Sequence, residues 1–467
     1  MRILLNVLIL TYISNVECFF NVYSKIKTVK YEGDPGQPLI LTPLIKAGKI
    51  DEAQSASKVM LNDAQNIESY SGFLTVNEEF NSNMFFWFFP SQLDYTKDPV
   101  LLWLQGGPGA TSLFGLFSEN GPFVVTPRLS LKLRKYSWTY SHSVLYIDNP
   151  VGTGYSFTDD GGYSQNETII GDNLYNALLQ FFQLFPNLQT NPFYVSGESY
   201  GGKYVPAVSY TIHRNNPGAK QKINLQGLAI GNGLSDPINQ LRYGEYLYQI
   251  GLIDRNTRSV FNQYERKAIE FIKKEQYDKA FRMFDDLLDG DFNNRNSIFK
   301  NATGFVNYYN YLVSKGDGID YMGQYIQRCD VRAAIHVGNS NFSGETRKVE
   351  RLLRNDIMQS VADWVSELLS HYRVLVYNGQ LDIIVAYPLT INYLNHLNFS
   401  AANEYKIAKR YQWHVGDELA GYVKMAGNLT EVLVRNAGHM VPKDQPKWAF
   451  DLINRFTHHK SFHLIPS

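Results

Sequence analysis

The segment Phe193-Tyr-Val-Ser-Gly-Glu-Ser-Tyr-Gly-Gly202 decides the fold class. It opens with the apolar residues of a buried strand. The strand leads into Gly197-Glu-Ser-Tyr-Gly201, a Gly-x-Ser-x-Gly pattern, and a helix-compatible stretch follows Pro206. Small residues beside Ser199 allow the sharp turn that lifts a serine hydroxyl out of a sheet at the start of a helix. We therefore predict that Ser199 is a nucleophile, the alternative being an ordinary glycine-rich turn.

Short apolar runs alternate with helix-like segments between residues 70 and 235, and two more runs follow near the end of the chain. The predicted strands are Phe85–Phe89, Val100–Leu104, Val144–Ile147, Phe193–Val195, Leu228–Ile230, Val374–Tyr377 and Val432–Val434. Most are continuously apolar, as expected for strands buried on both faces of a mostly parallel sheet. Asn173–Leu184 has helical spacing and ends before Pro186. The alternation predicts the α/β class, with a mostly parallel central sheet flanked by helices.

An aspartate and a histidine that could activate Ser199 follow it along the chain. A serine hydroxyl needs a base to take its proton, and in the α/β-hydrolase fold an acid and then a histidine follow the serine along the chain. Asp382 and His439 each come just after a predicted strand. We predict that His439 is the general base and that Asp382 holds its tautomer. The position after a strand and a glycine favours His439 over other histidines, namely His336, His371, His396 and His414.

A glycine-rich loop follows another apolar strand, in Leu101-Leu-Trp-Leu-Gln-Gly-Gly-Pro-Gly109. Such a loop can present backbone N–H groups to an oxyanion, together with the N–H of the residue after the nucleophile. On this basis we assign Gly107 and Tyr200 as the oxyanion hole. The competing interpretation is a phosphate-binding loop, which would need a Gly-Lys-Ser or Gly-Lys-Thr that is missing at this point.

The character of the chain changes after Pro237. Residues Thr257–Leu288 are charged and periodic, which predicts one or two amphipathic helices. We expect residues 19–236 and 351–467 to form the two parts of an α/β-hydrolase core. Residues 237–350 are expected to form a mainly helical cap inserted between these parts.

The N-terminus and the glycosylation acceptors predict export. In residues 1–18, Arg2 precedes an apolar stretch, and the small Val16 and Cys18 suit a cleavage site. This pattern indicates a signal peptide, although a buried N-terminal strand or helix is the alternative. Five Asn-x-Ser/Thr acceptors follow, at Asn166, Asn301, Asn341, Asn398 and Asn428. Together these features predict a glycoprotein of the secretory pathway, either secreted or lysosomal.

Composition narrows the range of partners. Lys+Arg and Asp+Glu both number 44, so the chain lacks the basic charge of most nucleic-acid-binding proteins. No later run of about 20 apolar residues predicts a membrane span. The sequence indicates no metal ligands and no cofactor. Once Cys18 is removed, Cys329 has no cysteine to pair with, and we expect it to be a buried free thiol.

Seven motifs together resemble the serine carboxypeptidase family, in the order in which that family carries them. They are Trp103-Leu-Gln-Gly-Gly-Pro-Gly109, Glu119-Asn-Gly-Pro122, Asp148-Asn-Pro-Val-Gly152, Gly197-Glu-Ser-Tyr-Gly-Gly202, Gly231-Asn-Gly-Leu-Ser-Asp236, Val376-Tyr-Asn-Gly-Gln-Leu-Asp382 and Gly438-His-Met-Val-Pro442. The chain most resembles the vitellogenic carboxypeptidase-like branch, because Gln105 stands where most members carry asparagine.

The resemblance implies an enzyme that hydrolyses the C-terminal peptide bond through an acyl-enzyme on Ser199, acting on peptides with a free C-terminus. It also implies that Gln105, Glu119 and Glu198 bind the substrate carboxylate. Two close carboxyl groups cannot easily both ionise, so one can stay protonated and donate to that carboxylate. This predicts peptide binding that is strongest at acidic pH. The alternative for Glu119 and Glu198 is that they only pack or cap near the serine.

The sequence departs from the family at several points and leaves other functions open. Gln105 is one methylene longer than asparagine, Ala110 replaces a common cysteine, and the usual disulfides of the family are missing. Some relatives with the same triad transfer the acyl group to an alcohol, so an acyltransferase is one alternative. A binding or protective protein with a vestigial site is another. The resemblance also leaves a homodimer open.

Overall fold

The structure is a computed structural model that describes residues 32–290, 292, 295–315, 320–343 and 347–462. The predicted signal peptide lies outside the described residues. Twelve strands occur in the described part of the chain. They are β1 (Tyr70–Asn77), β2 (Ser82–Phe89), β3 (Val100–Leu104), β4 (Phe123–Val125), β5 (Leu131–Leu133), β6 (Ser143–Ile147), β7 (Phe193–Glu198), β8 (Leu225–Gly231), β9 (Arg373–Gly379), β10 (Arg410–Val415), β11 (Glu418–Ala426) and β12 (Leu429–Val434).

Ten of these strands form one sheet, in the order β1-β2-β6-β3-β7-β8-β9-β12-β11-β10. The six central strands, which are β6, β3, β7, β8, β9 and β12 in sheet order, are mutually parallel. The outer strands are antiparallel to their neighbours. β4 and β5 form a separate hairpin. Because β7 lies at the middle of the sheet, the carboxyl ends of the neighbouring parallel strands lie on both sides of the segment that follows β7.

Helices cover the sheet and fill the segment between β8 and β9. They are α1 (Thr42–Lys46), α2 (Ile50–Ser57), α3 (Glu167–Leu184), α4 (Gly201–Asn215), α5 (Pro237–Gln240), α6 (Tyr243–Gln249), α7 (Arg255–Lys273), α8 (Tyr277–Leu288), α9 (Ile298–Thr303), α10 (Tyr321–Ile326), α11 (Cys329–Ala334), α12 (Arg347–Ile357), α13 (Ala362–Leu369), α14 (Tyr387–His396), α15 (Ala402–Ile407), α16 (Val441–Asp444) and α17 (Pro446–Thr457). A π-helical turn spans Gly115–Asn120. No described helix combines the length and apolarity of a membrane-spanning segment.

All seven predicted strands are present, and most extend beyond their predicted ends. β7 reaches Glu198 because Ser196, which interrupts the apolar run, buries its hydroxyl by donating to Leu102 O at 2.6 Å. The sequence analysis missed β1, β10 and β11 of the main sheet and both strands of the β4–β5 hairpin. β10 alternates exposed with more buried residues, and β11 mixes buried, half-buried and exposed residues, so neither forms the continuous apolar run that identified the central strands.

The helices also begin earlier than predicted. α3 starts at Glu167 because the side chain of Asn166 accepts a hydrogen bond from Ile169 N at 3.0 Å and caps it. α4 starts at Gly201 and contains Pro206. A proline inside a helix leaves the carbonyl four residues earlier without its donor, and here Ser235 Oγ donates to Gly202 O at 2.8 Å instead.

The segment predicted to form the cap is mainly helical in its described part, with irregular stretches at residues 304–315 and 335–343. The periodic stretch Thr257–Leu288 forms two helices, α7 and α8, and Glu275 between them has a left-handed φ of 55°. Helices continue past residue 350 to Leu369, before β9 resumes the sheet. The division at residues 237 and 350 stays a prediction. Cys329 is a free cysteine but is half-buried, so the prediction of a buried thiol is wrong.

Candidate active site

Ser199 lies on a strained turn between β7 and α4. Its φ is +62°, a left-handed value that costs energy in a residue with a Cβ. Backbone bonds fix the turn, since Ser199 N donates to Gly231 O at 3.1 Å and Gly202 N donates to Ser199 O at 2.9 Å. The two glycines of the motif, Gly197 and Gly201, both pack against the backbone carbonyl of Leu104. A Cβ would lie 2.6 Å from Leu104 O at Gly197 and 2.9 Å from the same oxygen at Gly201.

His439 and Asp382 form a buried hydrogen-bonded pair beyond the ends of β12 and β9. His439 Nδ1 donates to Asp382 Oδ2 at 2.9 Å, and both side chains are fully buried. Asn232 Nδ2 donates to the same oxygen at 2.7 Å, and Ile384 N donates to Asp382 Oδ1 at 3.0 Å. His439 Nε2 is buried and makes no hydrogen bond within the described residues. The imidazole therefore has one nitrogen fixed and the other available to accept a proton.

The helical segment holds the loop that carries Asp382. Tyr243 OH and Tyr246 OH, both on α6, donate to Ile384 O and Asp382 O at 2.7 Å each. The N-terminus of α6 is capped from α7, because Glu265 Oε1 accepts from Gly244 N at 2.7 Å. Burial raises the pKa of Glu265 from 4.5 to about 7.

We expect Glu265→Gln to flatten the pH dependence of stability. Because the pKa of Glu265 is raised on folding, its favourable contribution is greatest below pH 4.5 and is lost as pH rises through 7. Between pH 5 and pH 8 the free energy of unfolding should fall by about 2 to 3 kcal/mol more in the wild type than in the variant. Urea unfolding of both proteins at each pH measures this difference, and the shared histidine contributions cancel. Parallel pH curves would contradict the assignment.

Gln105 bridges two buried carboxyl groups beside the serine turn. Its Nε2 donates to Glu119 Oε1 at 2.9 Å and to Glu198 Oε1 at 3.1 Å, and all three side chains are fully buried. Its Oε1 accepts from the indole N–H of Trp103 at 2.8 Å. The indole fixes which end of the amide is the nitrogen, so the donors of Gln105 face the two carboxyls.

The two carboxyl groups also interact with each other. Burial raises the pKa of Glu119, and hydrogen bonds from Glu198 and Gln105 oppose that rise only in part. Two buried carboxyls in contact cannot easily both ionise, so the pair retains a proton. Glu198 immediately precedes Ser199, which places this proton next to the nucleophile.

The glycine-rich loop packs backbone to backbone against the serine turn. A Cβ on Gly106 would lie 2.5 Å from Tyr200 N and 2.7 Å from Ser199 Cβ. The next residue, Gly107, has φ +110°, which a residue with a side chain rarely adopts. The structure thus brings Gly106 of this loop close to the Tyr200 nitrogen, and the assignment of the Gly107 and Tyr200 N–H groups as the oxyanion hole stays a prediction.

Asp148 anchors the far end of this loop. Its carboxylate accepts from Thr111 Oγ1 at 2.6 Å, from Ser112 N at 2.9 Å and from Tyr155 N at 2.8 Å. Ser112 Oγ in turn accepts from Gln105 N at 3.1 Å. Burial raises the pKa of Asp148 to about 6.

Three supporting residues were not given a role from sequence: Trp103, Asp148 and Asn232. Trp103 lies in a buried strand, where a tryptophan is ordinarily interpreted as a core residue. Asp148 and Asn232 lie in motifs that carried the family resemblance, so the motifs themselves were the available signal. Their roles depend on contacts made across the fold.

The fold is a mostly parallel sheet with a serine on a strand-to-helix turn. An aspartate and a histidine follow the serine in chain order, each beyond the end of a later strand. Together these features define the α/β-hydrolase class. Comparison with known proteins narrows this class. The sequence pattern of the family Peptidase S10, serine carboxypeptidase, matches residues 60–459. The chain belongs to the serine carboxypeptidase family and is a serine-type hydrolase, which confirms the family, the fold class and the enzyme class predicted from sequence.

Several relatives match over nearly their whole length. The venom serine carboxypeptidase of Apis mellifera is 59% identical, covering 97% of this chain and 98% of the relative. The vitellogenic carboxypeptidase of Aedes aegypti is 51% identical, covering 94% of each. The probable serine carboxypeptidase CPVL of Homo sapiens is 49% identical, covering 92% of each.

A solved structure supports the fold. Kex1(delta)p, a prohormone-processing carboxypeptidase from Saccharomyces cerevisiae, superposes with a TM-score of 0.75 at 23% identity, covering 87% of this chain and 96% of its own. At this level of identity the similarity concerns the fold alone.

Proposed function

We propose that this enzyme removes single residues from the free C-termini of peptides, with Ser199, His439 and Asp382 as its catalytic triad. The observation that carries the proposal is the proton-holding pair Glu119–Glu198 next to Ser199, bridged by Gln105. A serine hydrolase needs no such group for the bond-breaking step itself. A buried acid donor beside the nucleophile suits a substrate that presents a carboxylate at this position.

The reaction proceeds in two halves. His439 Nε2 takes the proton of Ser199 Oγ as that oxygen attacks the last peptide carbonyl, and the Gly107 and Tyr200 N–H groups stabilise the oxyanion. The C–N bond breaks as His439 returns the proton to the leaving amine, which departs as a free amino acid. Water then attacks the acyl-enzyme with His439 as base. The bond between the acyl carbon and Ser199 Oγ breaks, His439 returns the proton to Oγ, and the shortened peptide leaves with a free carboxylate. Asp382 stays ionised and stabilises the imidazolium in both halves.

The substrate carboxylate is bound by the Glu119–Glu198 pair, with Gln105 orienting both groups. A protonated carboxyl donates to a carboxylate, whereas an ionised pair repels it. Since burial raises the pKa of Glu119, the pair keeps its proton above the pH at which an exposed carboxyl loses it. Binding of free-acid peptides then weakens as pH rises, which gives an acidic optimum.

Glu198→Gln is expected to impair free-acid peptides selectively. At pH 5 the value of kcat/KM for an N-blocked dipeptide should fall by about 10- to 100-fold, the cost of losing a charge-assisted hydrogen bond. An N-blocked amino-acid ester should be affected by about threefold or less, because it presents no carboxylate. The loss should shrink as pH rises, because the wild-type pair then loses the proton that it donates. Steady-state kinetics on both substrates across this range measure the effect.

Glu431→Gln provides the matched control. Glu431 is also buried and accepts from Tyr387 and Tyr405, but it lies in β12 and makes no contact described for the site. This variant should leave the ratio of peptide to ester activity unchanged. Equal losses on peptide and ester in Glu198→Gln would exclude the carboxylate site.

We propose further that the enzyme is exported and glycosylated. The five acceptors and the predicted signal peptide support this, and the Apis mellifera relative is named a venom enzyme. Asn341 and Asn398 are exposed and are expected to carry glycans. Asn428 Nδ2, the atom that would be modified, donates to Leu369 O at 2.9 Å, so we expect it to stay unmodified. Peptide mapping after endoglycosidase treatment tests both points, and a glycan on Asn428 or none on secreted protein would contradict them.

A further inference from the structure

A buried ionic cluster lies at the side chain of Tyr200, and the reaction described above does not use it. Its members, Lys203, Asp356, Glu167 and Tyr200, are each at most 4% exposed. Lys203 Nζ and Asp356 Oδ2 form an ion pair at 2.8 Å. Burying two charges costs several kcal/mol per ion before their attraction is counted, so such a pair is weak support for a purely stabilising role.

Asp356 connects three elements of the fold. Its Oδ2 accepts from Lys203 Nζ in α4 and from Tyr200 OH at 2.9 Å, directly after the nucleophile. Its Oδ1 accepts from Glu167 N, the first residue of α3, at 3.2 Å. Lys203 Nζ also donates to the backbone carbonyl of Asp356. Asp356 itself belongs to α12, in the helical segment between β8 and β9.

Glu167 keeps this cluster electrically balanced. Its carboxyl lies beside the side chains of Asp356 and Tyr200 and interacts with both. Burial, followed by the nearby Asp356, raises the pKa of Glu167 well above its usual range. A protonated Glu167 leaves one cation and one anion, Lys203 and Asp356, to neutralise each other.

The cluster can affect catalysis because it holds Tyr200, the residue whose backbone N–H is assigned to the oxyanion hole. The Tyr200 backbone is held at its carbonyl, which accepts from Lys203 N at 2.9 Å, and by contact of its nitrogen with Gly106. The hydroxyl bond to Asp356 adds an anchor at the far end of the side chain. With backbone and side chain both fixed, the direction of the Tyr200 N–H is fixed before substrate binds, which is the condition for effective oxyanion stabilisation.

We propose that Asp356 and Lys203 are positioning residues for the oxyanion hole, acting through the hydroxyl of Tyr200. The proposal rests on the assignment of the Tyr200 N–H as an oxyanion donor. It also means that α12 of the helical segment must be in place for the hole to be formed.

The mildest test is Tyr200→Phe, which removes only the hydroxyl. We expect kcat to fall about tenfold on both free-acid peptide and ester substrates, a part of the 10²- to 10³-fold lost when a whole donor is removed. KM should change by less than about twofold, because a ground-state carbonyl carries little charge. Tyr194→Phe is the matched control: Tyr194 is a buried tyrosine of β7, the strand that leads to Ser199, and its hydroxyl donates to Thr457 O at 3.0 Å, away from the serine.

A second readout separates positioning from general loosening. A peptide aldehyde forms a tetrahedral adduct with Ser199 whose oxygen occupies the oxyanion hole, so Tyr200→Phe should weaken its inhibition about as much as it lowers kcat. Inhibition by the released free amino acid, the product that carries no scissile carbonyl, should stay unchanged. Asp356→Asn should show the same pattern, with rates expressed per active site titrated by a fluorophosphonate.

The outcomes are distinguishable. If the wild type releases no C-terminal residue, the proposed function fails, whatever the variants do. If the wild type is active but kcat and aldehyde inhibition in Tyr200→Phe stay within twofold of it, the positioning role is wrong. Equal weakening of aldehyde and product inhibition would also overturn it, since that would indicate general disturbance of the site.

Discussion

Ser199→Ala should abolish turnover of peptides and esters alike, lowering kcat by about 10⁵- to 10⁶-fold. The reason is that both substrates depend on the same acyl-enzyme, which forms on the hydroxyl that the strained turn presents at Ser199, where φ is +62°. Alanine at this position keeps the Cβ, so the protein should fold normally. Turnover of an N-blocked dipeptide, together with labelling by a fluorophosphonate probe, measures the loss.

Ser196→Ala is the matched control for this experiment. Ser196 is a buried serine three residues earlier in β7, and its hydroxyl donates to Leu102 O inside the sheet. Its loss should cost about 1 kcal/mol of stability and leave kcat within a few-fold of the wild type. If Ser199→Ala retained labelling or more than a trace of turnover, the nucleophile would be wrongly assigned.

Asp382→Asn should lower kcat by about 10⁴-fold while leaving the fold intact. The carboxylate of Asp382 faces only donors: His439 Nδ1, Asn232 Nδ2 and the N–H of Ile384. An amide in its place must turn an N–H toward one of them. The imidazole can relieve that conflict by moving its proton to Nε2, and His439 then cannot accept the proton of Ser199.

The measurement for Asp382→Asn is kcat against pH, with the thermal midpoint as a check on folding. Asp236→Asn makes the same change at another buried aspartate, one that accepts from Asn239 Nδ2 at 2.6 Å. We expect that control to keep near-normal activity. A kcat above about 1% of wild type in Asp382→Asn would mean that Asp382 does not orient the base.

The central strands and the triad could be predicted from sequence for one physical reason. Strands buried on both faces must be apolar throughout, and a nucleophile on a sharp turn needs small neighbours, so both leave local patterns. Leu104 O, packed against Gly197 and Gly201, shows why the glycines are required. The outer strands β10 and β11 left weaker patterns because exposed and half-buried residues interrupt the buried ones in both strands.

The supporting residues could not be predicted because their roles arise from contacts between distant parts of the chain. Asn232 and Asp382 are 150 residues apart, and Tyr200 and Asp356 are 156 apart. The sequence analysis expected Gln105 to bind the substrate carboxylate. In the structure both N–H groups of its amide bond to Glu119 and Glu198, so Gln105 orients both carboxyls, and its own contact with the substrate carboxylate stays a prediction.

The most direct test of the carboxypeptidase assignment compares one N-blocked peptide with a free C-terminus and with an amidated C-terminus. Mass spectrometry would follow both during incubation with the purified mature enzyme at pH 5 and pH 7. We predict stepwise loss of single C-terminal residues from the free acid, faster at pH 5, little release from the amide, and none with Ser199→Ala. Absence of release from the free acid, despite fluorophosphonate labelling of Ser199, would contradict the account and favour acyl transfer to another acceptor.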